Sequence, residues 1–474
     1  MTERSCSSIV DLHHVEVLCR GAASSANKFC STFGFRAFAQ KSEHVAVRSE
    51  RTVFLFRERH SLYPVDTVAS LCFIVEDVTE AFERAVRAGG EPLVAPTNIE
   101  DRFGRVQVAE IRTPFGNSAL KFVNTTDYNG VFLPEYEDVA CCCETARTGE
   151  TCQEQRSLEC SRNELTYGCD HVTYACHRGM LDECVQWFST CLGFQRLSIN
   201  QAEEAERGFI VDSAAGSVGM RLKAMDYFRC RESQLVLAPD QRNAPPTTST
   251  MTSSTSNSSS SSSSSSDRHL GVKLVFAEPL TDGANQVQLF LNDHGGPGIQ
   301  HIGLTSRDIF STIETMRQAH AQFIFIPPDF YSQCHDLVTQ SCVSLPGDTL
   351  SKLEHSNILL DIEENVLGES RYLMQAFTKP LFSESTFFLE VIQRVGATGF
   401  GAGNITALWR ALQQHFARQQ QQHTITTAAT TATAKATTAA SSTSACIAST
   451  AASTLGASSV HTSSSPSVVN CDVT

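Results

Sequence analysis

The spacing of apolar residues along this chain switches between the two-residue period of a strand and the longer period of a helix. Residues 13–38, HHVEVLCRGAASSANKFCSTFGFRAF, read as a strand opening on His-Val, a helix, an aromatic pair around glycine, and another strand. Residues 170–197, DHVTYACHRGMLDECVQWFSTCLGFQRL, repeat that order. SLCFIVEDVTEAFERAVRAGG at 70–90 and HIGLTSRDIFSTIETMRQAHA at 301–321 each give a strand, a capping Asp near the helix start and an amphipathic helix. ALKFVN at 119–124 and FLEVIQ at 388–393 read as matching closing strands. The expected fold is α+β. Two related halves, residues 10–125 and 165–418, each hold two modules of one strand, one helix and further strands.

The segments outside this pattern differ in kind. Residues 126–164 form a cysteine-rich connector. Residues 244–267 carry a serine run with no apolar surface to bury, and disorder is expected there. The Gln-, Thr-, Ala- and Ser-rich tail at 419–474 is expected to be disordered too. Just before it, NITALWRALQQHFARQ reads as a capped helix with Ile405, Leu408, Trp409, Leu412 and Phe416 as its apolar stripe.

Composition narrows the function. The formal charge of −14, with no long basic run, argues against nucleic-acid binding. No apolar stretch approaches the roughly 20 residues of a transmembrane helix. Of the 18 cysteines, Cys19, Cys30, Cys72, Cys176 and Cys191 sit in apolar segments as small buried hydrophobes. Cys141, Cys142, Cys143, Cys152 and Cys160 lack the paired spacing of a structural zinc site. The N-terminus has no secretory pattern, so free thiols in a reducing compartment are expected.

Glu390 is the anomaly in the pattern. It lies inside STFFLEVIQR, an otherwise apolar strand, and burying an unpartnered carboxylate costs several kcal/mol. His171 and His301 also sit on apolar strands. Taken alone, a strand histidine is more often a hydrogen-bonded core residue than a ligand. Here all three fall at matching places in the repeat, and two imidazoles with one carboxylate are the facial triad of non-haem Fe(II) oxygenases. The first half has Ser70 opposite His301 and Lys121 opposite Glu390, sharing only His14 with His171. That half is expected to be metal-free.

The second half resembles the 4-hydroxyphenylpyruvate dioxygenase family, of the vicinal-oxygen-chelate fold. The matching pieces are DHV (170–172), GPGIQHIGL (296–304), YLMQAFTKPLF (372–382), FFLEVIQR (387–394) and GFGAGN (399–404). The resemblance implies two tandem barrel-like domains of βαβββ modules, one Fe(2+) per chain held by His171, His301 and Glu390, and an aryl pyruvate with O2 as substrates. It makes Gln300, Gln375 and Asn404 catalytic candidates. It places Gln286, Phe377, Phe388, Phe400 and Ile405 around the substrate, with the C-terminal helix closing over the metal. The competing readings are an ordinary half-buried strand residue for Gln286 and plain core packing for Phe377 and Phe388.

The sequence departs from the family at the walls. Ile405 stands where the family has Phe, Ala277 where it has the Asn of PINEP, and Gln234 in place of a Ser. Attack on the ring with side-chain migration gives homogentisate; hydroxylation of the benzylic carbon gives 4-hydroxymandelate. Shifts of about 1 Å decide between them. Loss of a stacking ring at 405 favours 4-hydroxymandelate. A Lewis-acid enzyme on the same scaffold and a non-catalytic interaction protein are the competing readings. By resemblance the protein is a homodimer or larger, in mitochondria, where the product would feed the ubiquinone ring. The N-terminus is no convincing presequence, which leaves the cytoplasm as the alternative.

Overall fold

In this computed structural model the described residues are 9–59, 64–116, 118–139, 164–200, 203–212, 219–227, 273–281, 285–341, 345–363, 371–384, 386–407 and 409. The Ser-rich run, residue 234, the five connector cysteines, the tail, and the helical stripe at 408, 412 and 416 lie outside them. No helix among the described residues is long and apolar enough to cross a membrane.

The first half contains β1 (Ile9–Cys19), α1 (Ala22–Phe33), β2 (Arg36–Lys41), β3 (His44–Ser49), β4 (Thr52–Glu58), β5 (Thr67–Val75), α2 (Val78–Arg87), β6 (Glu91–Asp101), β7 (Gly104–Arg112), β8 (Ala119–Asn124) and β9 (Glu137–Asp138). The second contains β10 (Gly168–Ala175), α3 (Leu181–Leu192), β11 (Gln195–Leu197), β12 (Phe209–Asp212), β13 (Gly219–Asp226), β14 (Lys273–Pro279), α4 (Gln286–His294), β15 (Gly298–Thr305), α5 (Ile309–Gln318), α6 (Pro328–Ser341), α7 (Thr349–Ser356), β16 (Leu359–Glu363), β17 (Arg371–Phe377) and β18 (Phe388–Val395).

Each half forms one sheet. Their orders are β6-β7-β8-β5-β1-β4-β3-β2-β9 and β11-β13-β14-β10-β15-β18-β17-β16, with β12 on β13. The central pairings correspond. β1 runs parallel to β4 and antiparallel to β5, which is parallel to β8; β10, β14, β15 and β18 repeat this. A parallel pair needs a crossover, and the helices and outer strands supply it. Central strands are buried on both faces and so read as continuous apolar runs, as in TVASLCFIV of β5. The predicted caps are present: Asp77 accepts from the Glu80 amide at 2.9 Å, and Asp308 from those of Phe310 and Ser311.

The register aligns the halves residue by residue. His14 pairs with Cys72 and Glu16 with Ser70 in the first; His171 pairs with Gly303 and Thr173 with His301 in the second. Lys121 lies beside Cys72 as Glu390 lies beside Gly303. In the first half Lys121 and Arg57 are ion-paired with buried Glu16.

Two expectations need correction. Residues 126–138 belong to the first half rather than to a connector: β9 pairs with β2, and Phe132 and Tyr136 pack into its core. The second half adds α4, α6, α7 and the short β12 to the plain modules. The halves share one continuous core, with Phe73 against Phe194 and Phe115 against Trp187.

Candidate metal centre

His171, His301 and Glu390 lie on three adjacent strands, β10, β15 and β18. The register sets the two histidines diagonally across the β10–β15 pair, with Gly303 opposite His171. A Cβ at Gly303 would come 2.5 Å from the His171 ring, so only glycine lets the imidazole cross that position. On β18, Glu390 is the neighbour of Gly303, which completes the triangle.

The three side chains converge. His171 Nε2 is 3.4 Å from His301 Nε2 and 3.2 Å from Glu390 Oε2. His301 Nε2 is 3.6 Å from the same oxygen. A triangle of these edges puts each corner about 2 Å from its centre, the bond length of a first-row metal to nitrogen or oxygen. Glu390 and His171 are almost fully buried, whereas the His301 side chain keeps 14% exposure and marks the open side.

The electrostatics favour a cation at that point. Burial works against charge on His171, yet the Glu390 carboxylate and the Asp170 hydrogen bond outweigh it and push the imidazole up to about 9. Burial and the neighbouring His171 hold His301 well below its ordinary value, so it stays neutral. Its Nδ1 is buried without a partner.

Two polar chains hold the ligands. His171 Nδ1 donates to Asp170 Oδ1 at 2.9 Å, leaving Nε2 free to ligate. Asp170 is the extra residue of a β-bulge: Cys169 pairs with Leu304 and His171 with Gly303, and this turns Asp170 toward its neighbour. Burial opposes charge on Asp170, but the Arg394 guanidinium holds its carboxyl well below the usual range. On the other side Gln375 Nε2 donates to Glu390 Oε1 at 2.7 Å, and Asn404 Nδ2 donates to Gln375 Oε1 at 2.8 Å. Gly401, at φ 72°, sits so near that a Cβ there would be 2.2 Å from Gln375 Oε1.

A cavity of about 520 Å³, open mouth included, lies over the triad. Gln300, Gln286, Gln375, Phe377, Phe388, Phe400 and Ile405 all line it. Phe388 stacks on His301 at 4.6 Å between ring centroids, and Phe400 meets His171 edge-on at 5.5 Å. Gln300 faces the cavity beside His301 because it, too, is a bulge residue: Thr173 pairs with His301 and Tyr174 with Ile299. Gln286, half-buried at the start of α4, also lines the cavity.

Asn404 is not a wall residue. It is fully buried behind Gln375 and reaches Glu390 only through it, the place of a positioning residue. Sequence reasoning missed Asp170 and Arg394, and also Thr173, Met220 and Leu222 on the cavity wall. A carboxylate directly before a ligating histidine was the available signal for the first.

The buried carboxylate and the two imidazoles, whose Nε2 atoms converge with Glu390 Oε2 on one point, are a donor set that fits a divalent metal. Comparisons with known proteins identify the family. The Glyoxalase/Bleomycin resistance protein/Dioxygenase superfamily profile matches residues 11–119 and 168–337. The 4-hydroxyphenylpyruvate dioxygenase-like protein of Rattus norvegicus is 33% identical over 405 residues, covering 82% of this chain and 92% of that protein.

The chain belongs to the 4-hydroxyphenylpyruvate dioxygenase family.

More distant members agree. The 4-hydroxyphenylpyruvate dioxygenase of Caenorhabditis elegans is 25% identical, covering 85% of this chain and 91% of its own. A mutant 4-hydroxymandelate synthase from Streptomyces coelicolor superposes with a TM-score of 0.62 at 21% identity, covering 86% of this chain and 99% of its own. That likeness shows the two-domain glyoxalase-type fold.

Proposed function

We propose that this family member is a non-haem Fe(II) dioxygenase that converts 4-hydroxyphenylpyruvate and O2 into 4-hydroxymandelate and CO2. The observation that carries this reading is the convergence of His171, His301 and Glu390 beneath an aromatic cavity.

Held by those three residues, Fe(II) would supply what the walls lack: positive charge for an anionic keto acid and an electron source for O2. The chain does the rest. Asp170 fixes the His171 tautomer, and Gln375 occupies Glu390 Oε1 so that Oε2 points inward. Phe377, Phe388 and Phe400 offer faces and edges to an aromatic ring, and Gln300 and Gln286 offer amides to its polar ends. The apolar residues Met220, Leu222 and Val275 complete the lining.

The choice of product follows from Ile405. It lines the cavity without an aromatic face, so the substrate ring is held less firmly and the benzylic carbon is the better target.

The test uses the full chain loaded with Fe(II) and 4-hydroxyphenylpyruvate labelled at the carboxylate. Labelled CO2 should be released in air and not under argon, and chromatography should identify 4-hydroxymandelate. Homogentisate would keep the dioxygenase and overturn the product. Iron-loaded protein that binds the keto acid and never releases CO2 would overturn the enzyme. Turnover that needs no O2 would assign the site to Lewis-acid chemistry.

A further inference from the structure

The first half keeps His14 where the second has His171, but its polar interior is rebuilt around different neighbours. His13 is the extra residue of a β-bulge, because Leu12 pairs with Phe73 and His14 with Cys72. The bulge turns two consecutive histidines toward each other, and their Nδ1 atoms stand 2.7 Å apart. Across the strand pair from His14, where the second half has the bare Gly303, the first half presents the Cys72 thiol.

We infer that His13, His14 and Cys72 form a second metal site, suited to Zn(II). One ligand atom from each lies within 4.8 Å of the others. Tetrahedral zinc spaces such atoms roughly 3.3–3.8 Å apart, a small side-chain adjustment away. Two imidazoles and a thiolate are a borderline-soft donor set, unlike the two imidazoles and carboxylate of the other half. The site has therefore moved from the Lys121 position to the Cys72 position, one place across the sheet.

The surroundings permit it. His14 and Cys72 are buried, and His13 is half-buried. Burial keeps both rings in the neutral form that ligates and pushes the Cys72 thiol up, so the thiolate forms only as the metal binds. Phe132 stacks on His13 and meets His14 edge-on, both at 5.2 Å, which fixes the rings. The nearby cations are already matched: Arg57 and Lys121 pair with Glu16, and Lys121 also lies 3.7 Å from Glu110. On binding, the proton shared between the two Nδ1 atoms moves to a distal ring nitrogen, the Cys72 thiol proton goes to solvent, and water fills the fourth position.

Cobalt(II) titration of the full chain tests this, because only a thiolate site gives an intense near-ultraviolet thiolate-to-cobalt band. The band should appear in wild type, persist in Glu390→Ala and vanish in Cys72→Ser. His13→Gln, at a half-buried position that tolerates change, should weaken the cobalt affinity read from that band. Absence of the band in wild type, its survival in Cys72→Ser, or an unchanged affinity in His13→Gln would each overturn the site. None of these outcomes depends on turnover at the triad.

Discussion

Arg394 and Asp170 form a two-pronged ion pair that spans the second half. The guanidinium Nε and Nη2 donate to Asp170 Oδ2 and Oδ1 at 2.7 and 2.8 Å. The same guanidinium donates to the Gly399 carbonyl, in the loop that leads to Phe400 and Asn404. One half-buried guanidinium therefore braces the carboxylate that orients His171, a candidate metal ligand, and anchors the segment that carries Phe400 and Asn404.

Asp170→Asn keeps the size of the side chain but removes its charge. The His171 tautomer is then no longer enforced. Ferrous affinity should fall roughly 10- to 100-fold, measured by competition with a chelator, while the circular-dichroism spectrum stays as in wild type.

Asn404 acts on Glu390 only through Gln375. The two amides should therefore couple. In a cycle of Asn404→Ala, Gln375→Ala and the double variant, urea denaturation should give an interaction energy of about 0.5–3 kcal/mol. Strict additivity would mean that the chain of hydrogen bonds does not operate.

Much of the centre was legible because charge in an apolar strand is conspicuous. Glu390, His171 and His301 stand out against runs such as FFLEVIQ, and the repeat placed each on a corresponding strand. What was not legible is long-range. Asp170 and Arg394 are 224 positions apart, and nothing local announces their pairing. The bulges at Asp170 and Gln300 exist only between two paired strands, so the spacing within either strand alone does not announce them. Phe132 and Tyr136 looked like connector residues because the segment around them lacks periodicity, yet they cap the interior of the first half.

If residue 405 decides the product, restoring a ring there should shift it. Ile405→Phe lines the same cavity with an aromatic face that stacks the substrate ring. The fraction of homogentisate among products should rise relative to wild type, read by chromatography at matched CO2 release. An unchanged product ratio would remove Ile405 from the explanation.

The first half carries a separate pH dependence. Glu16 is buried and accepts from Arg57, Lys121 and, at 2.7 Å, the Ser70 hydroxyl. Burial alone would raise its carboxyl, but the Lys121 and Arg57 charges win and hold it well below the usual carboxylate range. The folded value thus lies below the unfolded one of about 4.3. Its stabilisation is fully present above that pH and is lost as pH falls toward the folded value. Glu16→Gln removes the charge, leaving Arg57 without its buried partner and Lys121 with only Glu110, 3.7 Å away. At pH 7 it should be less stable by about 3 kcal/mol. Between pH 5 and 3 wild type should lose stability more steeply than the variant, and the two denaturation curves should converge on acidification. Parallel loss of stability in both proteins would place the acid sensitivity elsewhere.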